Sequence, residues 1–228
     1  MQTPLKSTDK LIRPLVRSLI ADDHHACKNF SIYEEFSIWG GTIRADFAVL
    51  NGISRGYEIK SEVDSLTRFA GQRRAYNQVF EHITLIADSR HLQDLRRVSP
   101  WWGIVLVESS VEGLKLVRVK ESSDNPKREP SAIAALLWRN EAIDLLTSFG
   151  LDSGIRSKPM DVLIDRLASE ISIAVLSNCV RQAIRSRGDW RSGSRRKQCG
   201  DTSLLSASLS SSRRTPYGNT SLYKRHPN

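Results

Sequence analysis

Residues 44–60, RADFAVLNGISRGYEIK, constrain the fold more than any other part of the chain. Apolar and polar side chains alternate on both sides of Asn51-Gly52, a dipeptide typical of turns. Alternation with a period of two predicts strands with one buried face, so this stretch predicts a β-hairpin. Its apolar face would carry Phe47, Val49, Tyr57 and Ile59.

The other face of the predicted hairpin carries charges. Glu58 and Lys60 are two residues apart, so their side chains share a face about 6.6 Å apart along the strand. A three-residue turn at 51–53 sets Asp46 opposite Glu58, whereas a five-residue turn sets it opposite Lys60. Two facing carboxylates about 5 Å apart destabilise a hairpin unless a cation lies between them. The pattern therefore predicts a metal site.

These residues resemble the signature of a known superfamily. Asp46, eleven intervening residues and Glu58-Ile59-Lys60 are similar to the Asp…Glu-x-Lys signature of the PD-(D/E)XK nucleases. Gln72 with Tyr76 resembles the Gln-x-x-x-Tyr motif of the RecB-like and related branches. Arg44-Ala45-Asp46 stands where the superfamily name has Pro-Asp, a proline that is often absent. The stretch 34–102 most resembles a small, poorly characterised bacterial and phage subfamily.

The resemblance implies an α/β fold with a restriction-endonuclease-like α-β-β-β-α-β core around a mixed central sheet. It implies a Mg²⁺-dependent deoxyribonuclease in which Asp46, Glu58 and the Ile59 carbonyl hold the metal, with Mn²⁺ able to substitute. Lys60 would orient the attacking water or stabilise charge in the transition state. The implied partner is nucleic acid, DNA in preference to RNA, with no membrane, and a homodimer is compatible with the superfamily. The alternative is a catalytically silent nucleic-acid-binding protein with the same fold.

Further site residues are predicted on either side of the hairpin. Glu35, on a strand over 30–38, is either an acid that assists metal or water binding or a plain surface charge. A helix over 66–80 places Arg68, Gln72 and Tyr76 at i, i+4 and i+8, in one polar stripe. Beside an acidic site this stripe suits substrate binding through the phosphate backbone, although such a stripe alone is also typical of a solvated helix face.

The other predicted elements follow from hydrophobic spacing. A helix over 7–26 has an apolar stripe that should pack on the sheet. His24-His25 at its end serves either as a C-terminal cap or as a metal site, although adjacent histidines point in different directions on a helix. In the strand over 30–38, Ile32, Phe36 and Ile38 are expected on one face. Trp101 and Trp102 are expected to pack in the core or at its rim, with base stacking as the alternative. Further strands are predicted at 83–87, 103–108 and 114–120, a short helix at 91–97, and helices at 133–138, 141–149, 160–167 and 171–184.

Composition divides the chain into three regions. Residues 1–125 form the nuclease-like domain, 126–187 an α-helical appendage, and 188–228 a Ser/Arg-rich tail predicted to be mostly disordered. Of the net charge of +9, +8 lies from residue 185 onward, and this basic end is either a solvated tail or an aid to nucleic-acid binding. Three widely spaced cysteines, no signal-peptide pattern and no long apolar run predict a cytoplasmic protein.

Overall fold

Six strands form one mixed sheet, and they lie in it in chain order: β1 (Ser31–Ile38), β2 (Ile43–Leu50), β3 (Ser54–Lys60), β4 (His82–Asp88), β5 (Gly103–Ser109) and β6 (Leu114–Lys120). The computed structural model describes residues 5–25 and 30–187. β1, β2 and β3 are antiparallel neighbours, β3, β4 and β5 are parallel, and β6 is antiparallel to β5.

Helices cover both faces of this sheet. α1 (Asp9–Asp23) buries Ile12, Val16 and Ile20 against one face, as its apolar spacing predicts. α2 (Phe69–Val79) covers the other face and connects the parallel strands β3 and β4. The chain thus begins with the predicted order α1-β1-β2-β3-α2-β4, followed by α3 (Pro130–Ala134), α4 (Arg139–Ser148), α5 (Met160–Glu170) and α6 (Ile173–Ser186).

The helical region after β6 shares the core on the α2 side of the sheet. Leu146, Leu163 and Leu176 are fully buried in the same apolar cluster as Phe80 and Trp102. The segment between β6 and α3 is also held in place, because the Asn125 amide donates to the backbone oxygens of residues 77 and 80 at 2.6 and 2.7 Å. The predicted tail at 188–228 lies outside the described residues.

The hairpin has the register of a three-residue turn. Phe47 faces Tyr57 and Leu50 faces Ser54, so residues 51–53 form the turn and the five-residue alternative is wrong. The four apolar residues predicted to share a face do so, packed beneath α1: Phe47, Val49, Tyr57 and Ile59.

The regular alternation predicted for β1 is wrong at one point. Ile32 packs on the α1 side of the sheet, whereas Phe36 and Ile38 pack on the α2 side. The change of side occurs at Glu35, whose φ of 50° interrupts the extended backbone. β2 changes side at the facing position, since Ala45 packs with Phe36 while Phe47 packs with Ile32.

Two glycines provide a stability test of the packing between β3 and the α2 side. A Cβ at Gly56 would lie 2.6 Å from Phe80 Cε2 and 2.9 Å from its Cγ, whereas a Cβ at Gly71 on the exposed side of α2 would meet nothing within 4 Å. We expect Gly56→Ala to lower the free energy of unfolding by about 1–3 kcal/mol, because the ring must shift in a packed core. Gly71→Ala should raise it by up to about 1 kcal/mol through helix propensity. Urea denaturation measures both; equal effects of the two substitutions would contradict this packing.

No helix in the described ranges, 5–25 and 30–187, has both the length and the apolar character needed to cross a membrane.

Candidate functional site

Glu58 and Lys60 form a buried ion pair at the carboxyl end of β3. The Lys60 ammonium lies 2.6 Å from Glu58 Oε1, and the two side chains are only 9% and 2% exposed, respectively. Residues two apart on a strand have side chains on the same face, close enough to pair, as the sequence spacing predicts. The carboxyl ends of parallel strands are where open α/β sheets bind ligands, and β3 is parallel to β4.

Helix α2 supplies one contact to each member of this pair. The Tyr76 hydroxyl donates to Glu58 Oε2, and Lys60 Nζ donates to Gln72 Oε1 at 3.0 Å. Tyr76 is fully buried, and burial followed by the neighbouring Glu58 charge raises its pKa well above the usual value. A tyrosine in this state keeps its proton and remains a donor. The i, i+4 spacing on α2 therefore fixes both charged groups of β3.

The predicted stripe on α2 separates into three different environments. Tyr76 lies in the core, Gln72 is half-buried against Lys60, and Arg68 at the start of α2 is exposed. Among the described residues, Arg68 has no ion pair or hydrogen bond through its side chain. Arg68 is thus the member of the stripe that a solvent-side ligand could reach first.

Asp46 lies where β2 separates from β3. The ladder between these strands ends at Phe47 and Tyr57, and one residue further the Asp46 Oδ2 accepts the Ile59 backbone N–H at 2.7 Å. Its other oxygen accepts from Arg13 at 2.8 Å. A carboxylate thus replaces a backbone carbonyl as the partner of β3, which brings Asp46 beside Glu58.

The short distance between Asp46 and Glu58 affects the pKa of Asp46. The pKa of Asp46 is raised to about 7, first by burial and then by the neighbouring Glu58 carboxylate. The Ile59 N–H and the Arg13 guanidinium act in the opposite direction, but they are outweighed. The two carboxylates repel each other, which is the condition that the sequence pattern predicted.

Glu35 joins the site through Arg13. Arg13 Nη2 lies 2.5 Å from Glu35 Oε1 and 2.8 Å from Asp46 Oδ1, so one nitrogen bridges the two acids. The same guanidinium contacts Asp9 at 2.7 Å and Glu34 at 3.8 Å. Sequence reasoning missed Arg13, although its i, i+4 spacing from Asp9 and its position next to the buried stripe of α1 were available as signals.

The donor set can be compared with what a hard divalent cation requires. Two carboxylates and a backbone carbonyl are oxygen ligands of the kind that Mg²⁺ takes, with water completing its shell. Burial, and after it the Glu58 carboxylate, disfavour the charged form of Asp46 and raise its pKa, and a divalent cation would offset both effects, so the chemistry of Asp46, Glu58 and the Ile59 carbonyl fits the ion. Within residues 5–25 and 30–187, no three side chains of His, Cys, Asp or Glu form a group that could hold a metal by themselves.

A second polar cluster stabilises the ends of β3 and β4. Ser7 donates to buried Asp88 and accepts the Glu62 backbone N–H at 2.9 Å, and Asp64 accepts from the Ser61 N–H at 2.7 Å. These contacts hold the turn that leads from Lys60 into α2. Their effect is to fix the backbone beside the Glu58–Lys60 pair.

The contact between Tyr76 and Glu58 can be tested with a matched pair of substitutions. Tyr76→Phe should lower the free energy of unfolding by about 1.5–3 kcal/mol, because it removes a hydrogen bond to a buried carboxylate. Tyr57→Phe is the control: this tyrosine is also buried, but its hydroxyl bonds to no other described residue. Its effect should stay within about 0.5 kcal/mol. Thermal or urea melts in EDTA make the comparison, and equal losses would contradict a specific role of the Tyr76 hydroxyl.

Comparisons with known proteins place the chain in a family. Protein cII of Enterobacteria phage P4 is 25% identical over 158 residues, which cover 69% of this chain and 59% of that protein, so the match spans less than two thirds of the relative. A solved structure of a protein of unknown function from Silicibacter pomeroyi is 18% identical and covers 65% of this chain and 94% of its own, with a TM-score of 0.38. A family model described as bacteriophage P4 protein cII matches residues 6–208. Because this match extends over most of the sequence, the chain belongs to the bacteriophage P4 protein cII family.

Proposed function

We propose that this protein is a metal-dependent nuclease that hydrolyses phosphodiester bonds, with DNA as its substrate. The observation that carries the proposal is that Asp46, Glu58 and Lys60 lie together at the carboxyl end of β3. Burial and the Glu58 carboxylate raise the pKa of Asp46 to about 7 there. The element order α1-β1-β2-β3-α2-β4 supports a restriction-endonuclease-like fold for the core. Gln72 and Tyr76 contact Lys60 and Glu58, which supports a part for both in positioning the charged pair. Their predicted contact with the phosphate backbone stays a prediction.

Each residue has a defined part in this proposal. Asp46, Glu58 and the Ile59 carbonyl would hold Mg²⁺ or Mn²⁺, which when bound polarises a phosphoryl oxygen and lowers the pKa of an attacking water. Lys60 stabilises negative charge that develops on the phosphoryl group, because Glu58 and Gln72 fix its ammonium before substrate arrives. Tyr76 orients Glu58 from the core. Arg68, exposed at the start of α2, positions the phosphate backbone.

The second candidate is a catalytically silent nucleic-acid-binding protein, and one observation favours it. All four carboxylate oxygens of Asp46 and Glu58 already accept from a donor of the protein: Arg13, the Ile59 N–H, Lys60 and Tyr76. A cluster neutralised by its own cations in this way can also be purely structural. In that case the fold and the basic tail would bind nucleic acid without cutting it.

A cleavage assay separates the two candidates. Labelled single-stranded and duplex DNA and RNA of one sequence are incubated with the purified chain in Mg²⁺, Mn²⁺ or EDTA. We expect cutting of DNA in Mg²⁺ and Mn²⁺, none in EDTA, and loss of cutting in Asp46→Ala and Lys60→Ala. Asp144→Ala, at an exposed position on α4, is the control that should cut like the wild type.

Binding without cutting in any metal, together with a melting temperature that Mg²⁺ does not raise, would instead establish the silent binding protein.

A further inference from the structure

The tip of the hairpin between β1 and β2 has an unusual backbone. Trp39, Gly40 and Gly41 are three successive residues in the left-handed region, with φ values of 53°, 61° and 91°. For glycine this conformation carries no steric cost, but a bulky side chain adopts it rarely. The strained residue at this tip is a tryptophan that is 44% exposed.

The other described tryptophans have partners within the protein. Trp101 and Trp102 both donate their indole N–H to Asn77, at 3.0 and 2.7 Å, and the ring of Trp138 lies 4.3 Å from the Arg187 guanidinium carbon. The indole of Trp39 has neither a ring contact nor a hydrogen bond to any described residue. An exposed aromatic ring held in a strained backbone conformation without an internal partner is available to a ligand.

The tip lies at the same end of the strands as the candidate site. Because β2 is antiparallel to β3, the start of β2 is at the carboxyl end of β3, where Glu58 and Lys60 lie. Asp46 is three residues beyond the first residue of β2, about 10 Å along the strand. The Tyr76 hydroxyl also lies 3.1 Å from the Arg44 backbone oxygen, which fixes this part of β2 to the site. Trp39 follows Ile38, which pairs with Ile43, so the tip lies about 10 Å or more from Asp46 along the strand. This span is on the order of three to four stacked nucleotides.

We propose that Trp39 binds an unpaired nucleobase by stacking, so that the substrate of the site is single-stranded or carries an unpaired segment next to the cleaved phosphate. The inference rests on the proposed function, which it extends by naming the substrate class. In a duplex the faces of the bases are covered by their neighbours, so an indole meets an open base only where pairing is lost. The exposed Arg44 and Arg68 guanidiniums at this edge suit the phosphates on either side.

Binding assays in EDTA test this stacking without any need for cleavage. The affinities of a labelled single strand, the matching duplex and a duplex with a single-stranded flap are measured by fluorescence anisotropy at fixed salt. Trp39→Asn removes the ring but keeps a residue that tolerates the left-handed backbone, so it should melt at or above the wild-type temperature. Trp39→Phe keeps a smaller ring, and Trp138→Ala removes an exposed tryptophan that stacks on Arg187.

We expect Trp39→Asn to weaken binding of the single strand and the flap about tenfold and to leave duplex binding unchanged. Trp39→Phe should retain most of the affinity, and Trp138→Ala all of it. Equal losses on the single strand and the duplex, or no loss on either, would overturn the proposal. So would a wild type that binds no oligonucleotide but self-associates through Trp39, which would identify a protein-binding surface.

The two proposals fail independently. Selective loss of single-strand binding in Trp39→Asn, in a protein that cuts nothing in Mg²⁺, would support the stacking residue and reject the nuclease. Metal-dependent cutting that is lost in Lys60→Ala but unaltered in Trp39→Asn would support the nuclease and reject the stacking residue.

Discussion

Replacing Lys60 with methionine is expected to lower the proposed metal-dependent cleavage by about 10²–10³-fold, the effect typical of removing one fixed group that stabilises transition-state charge. Methionine has nearly the same length and fills the same space, so the change removes the ammonium and little else. Asp46 and Glu58 remain in place. The increase in melting temperature expected with Mg²⁺ should therefore persist, which separates a defect in catalysis from a defect in metal binding.

The same substitution should also destabilise the metal-free protein. It leaves Glu58, whose side chain is 2% exposed, with Tyr76 as its remaining side-chain donor. Loss of one partner from a buried ion pair costs about 3–5 kcal/mol. Adding Glu58→Gln to Lys60→Met removes both charges and should recover much of this stability without recovering cleavage.

Single-turnover cleavage and thermal melts in Mg²⁺ and in EDTA provide the measurements. Lys127→Met, at an exposed position before α3, is the matched control and should match the wild type in both. A folded Lys60→Met protein that cleaves at the wild-type rate would remove Lys60 from the mechanism.

The sequence predicted the hairpin well because its information is local. A period of two, a turn dipeptide and the spacing of Glu58 and Lys60 are enough to place both on one face, and the structure pairs them at 2.6 Å. Helical spacing placed Gln72 and Tyr76 on the side of α2 that meets Glu58 and Lys60, but the single polar stripe predicted for them is wrong for Tyr76, which lies in the core. The specific burial of Tyr76 was harder to predict, because a phenol on a polar stripe can face either the solvent or the core.

The environment of Asp46 depends on two features that local patterns do not contain. The change of face at Glu35 arises from one left-handed residue, and a glutamate in the middle of a regular strand pattern gives no sign of it. Arg13 reaches Asp46 across the packing of α1 on the sheet. Hydrophobic spacing predicts that α1 packs there, but it does not specify which strand residue lies beneath each turn of the helix.

In the absence of metal, raising the pH from 5 to 8 is expected to lower the stability of the wild type through Asp46. The pKa of this carboxyl is about 7 in the folded protein and 3.8 in the unfolded chain. Between these values the folded protein retains a proton that the unfolded chain has lost. The stabilisation from the proton is therefore full below about pH 4 and disappears as the pH rises through 7. It amounts to about 4 kcal/mol in total, of which about 2.5–3 kcal/mol is lost between pH 5 and 8.

A divalent cation should reverse this trend because it competes with the proton for the same carboxylate. The increase in melting temperature caused by Mg²⁺ should be larger at pH 8 than at pH 6. In Asp46→Asn both the loss of stability with pH and the response to Mg²⁺ should be much reduced, since the amide neither titrates in this range nor holds the ion well. Asp144→Asn on α4 should behave as the wild type.

Melting temperatures of the wild type, Asp46→Asn and Asp144→Asn are measured at pH 5, 6, 7 and 8, in EDTA and in Mg²⁺. Because the other groups titrate alike in all three proteins, the difference between their pH profiles reports the contribution of Asp46. Wild type and Asp46→Asn with parallel pH profiles in EDTA would show that Asp46 is ionised at neutral pH without a metal. Arg13 would then be a sufficient counter-ion, and the self-neutralised cluster of the silent binding protein would be the better description. If the wild-type melting temperature instead falls below that of Asp46→Asn above pH 6 in EDTA, and Mg²⁺ removes this difference, the two carboxylates need a bound divalent cation in addition to the cations of the protein.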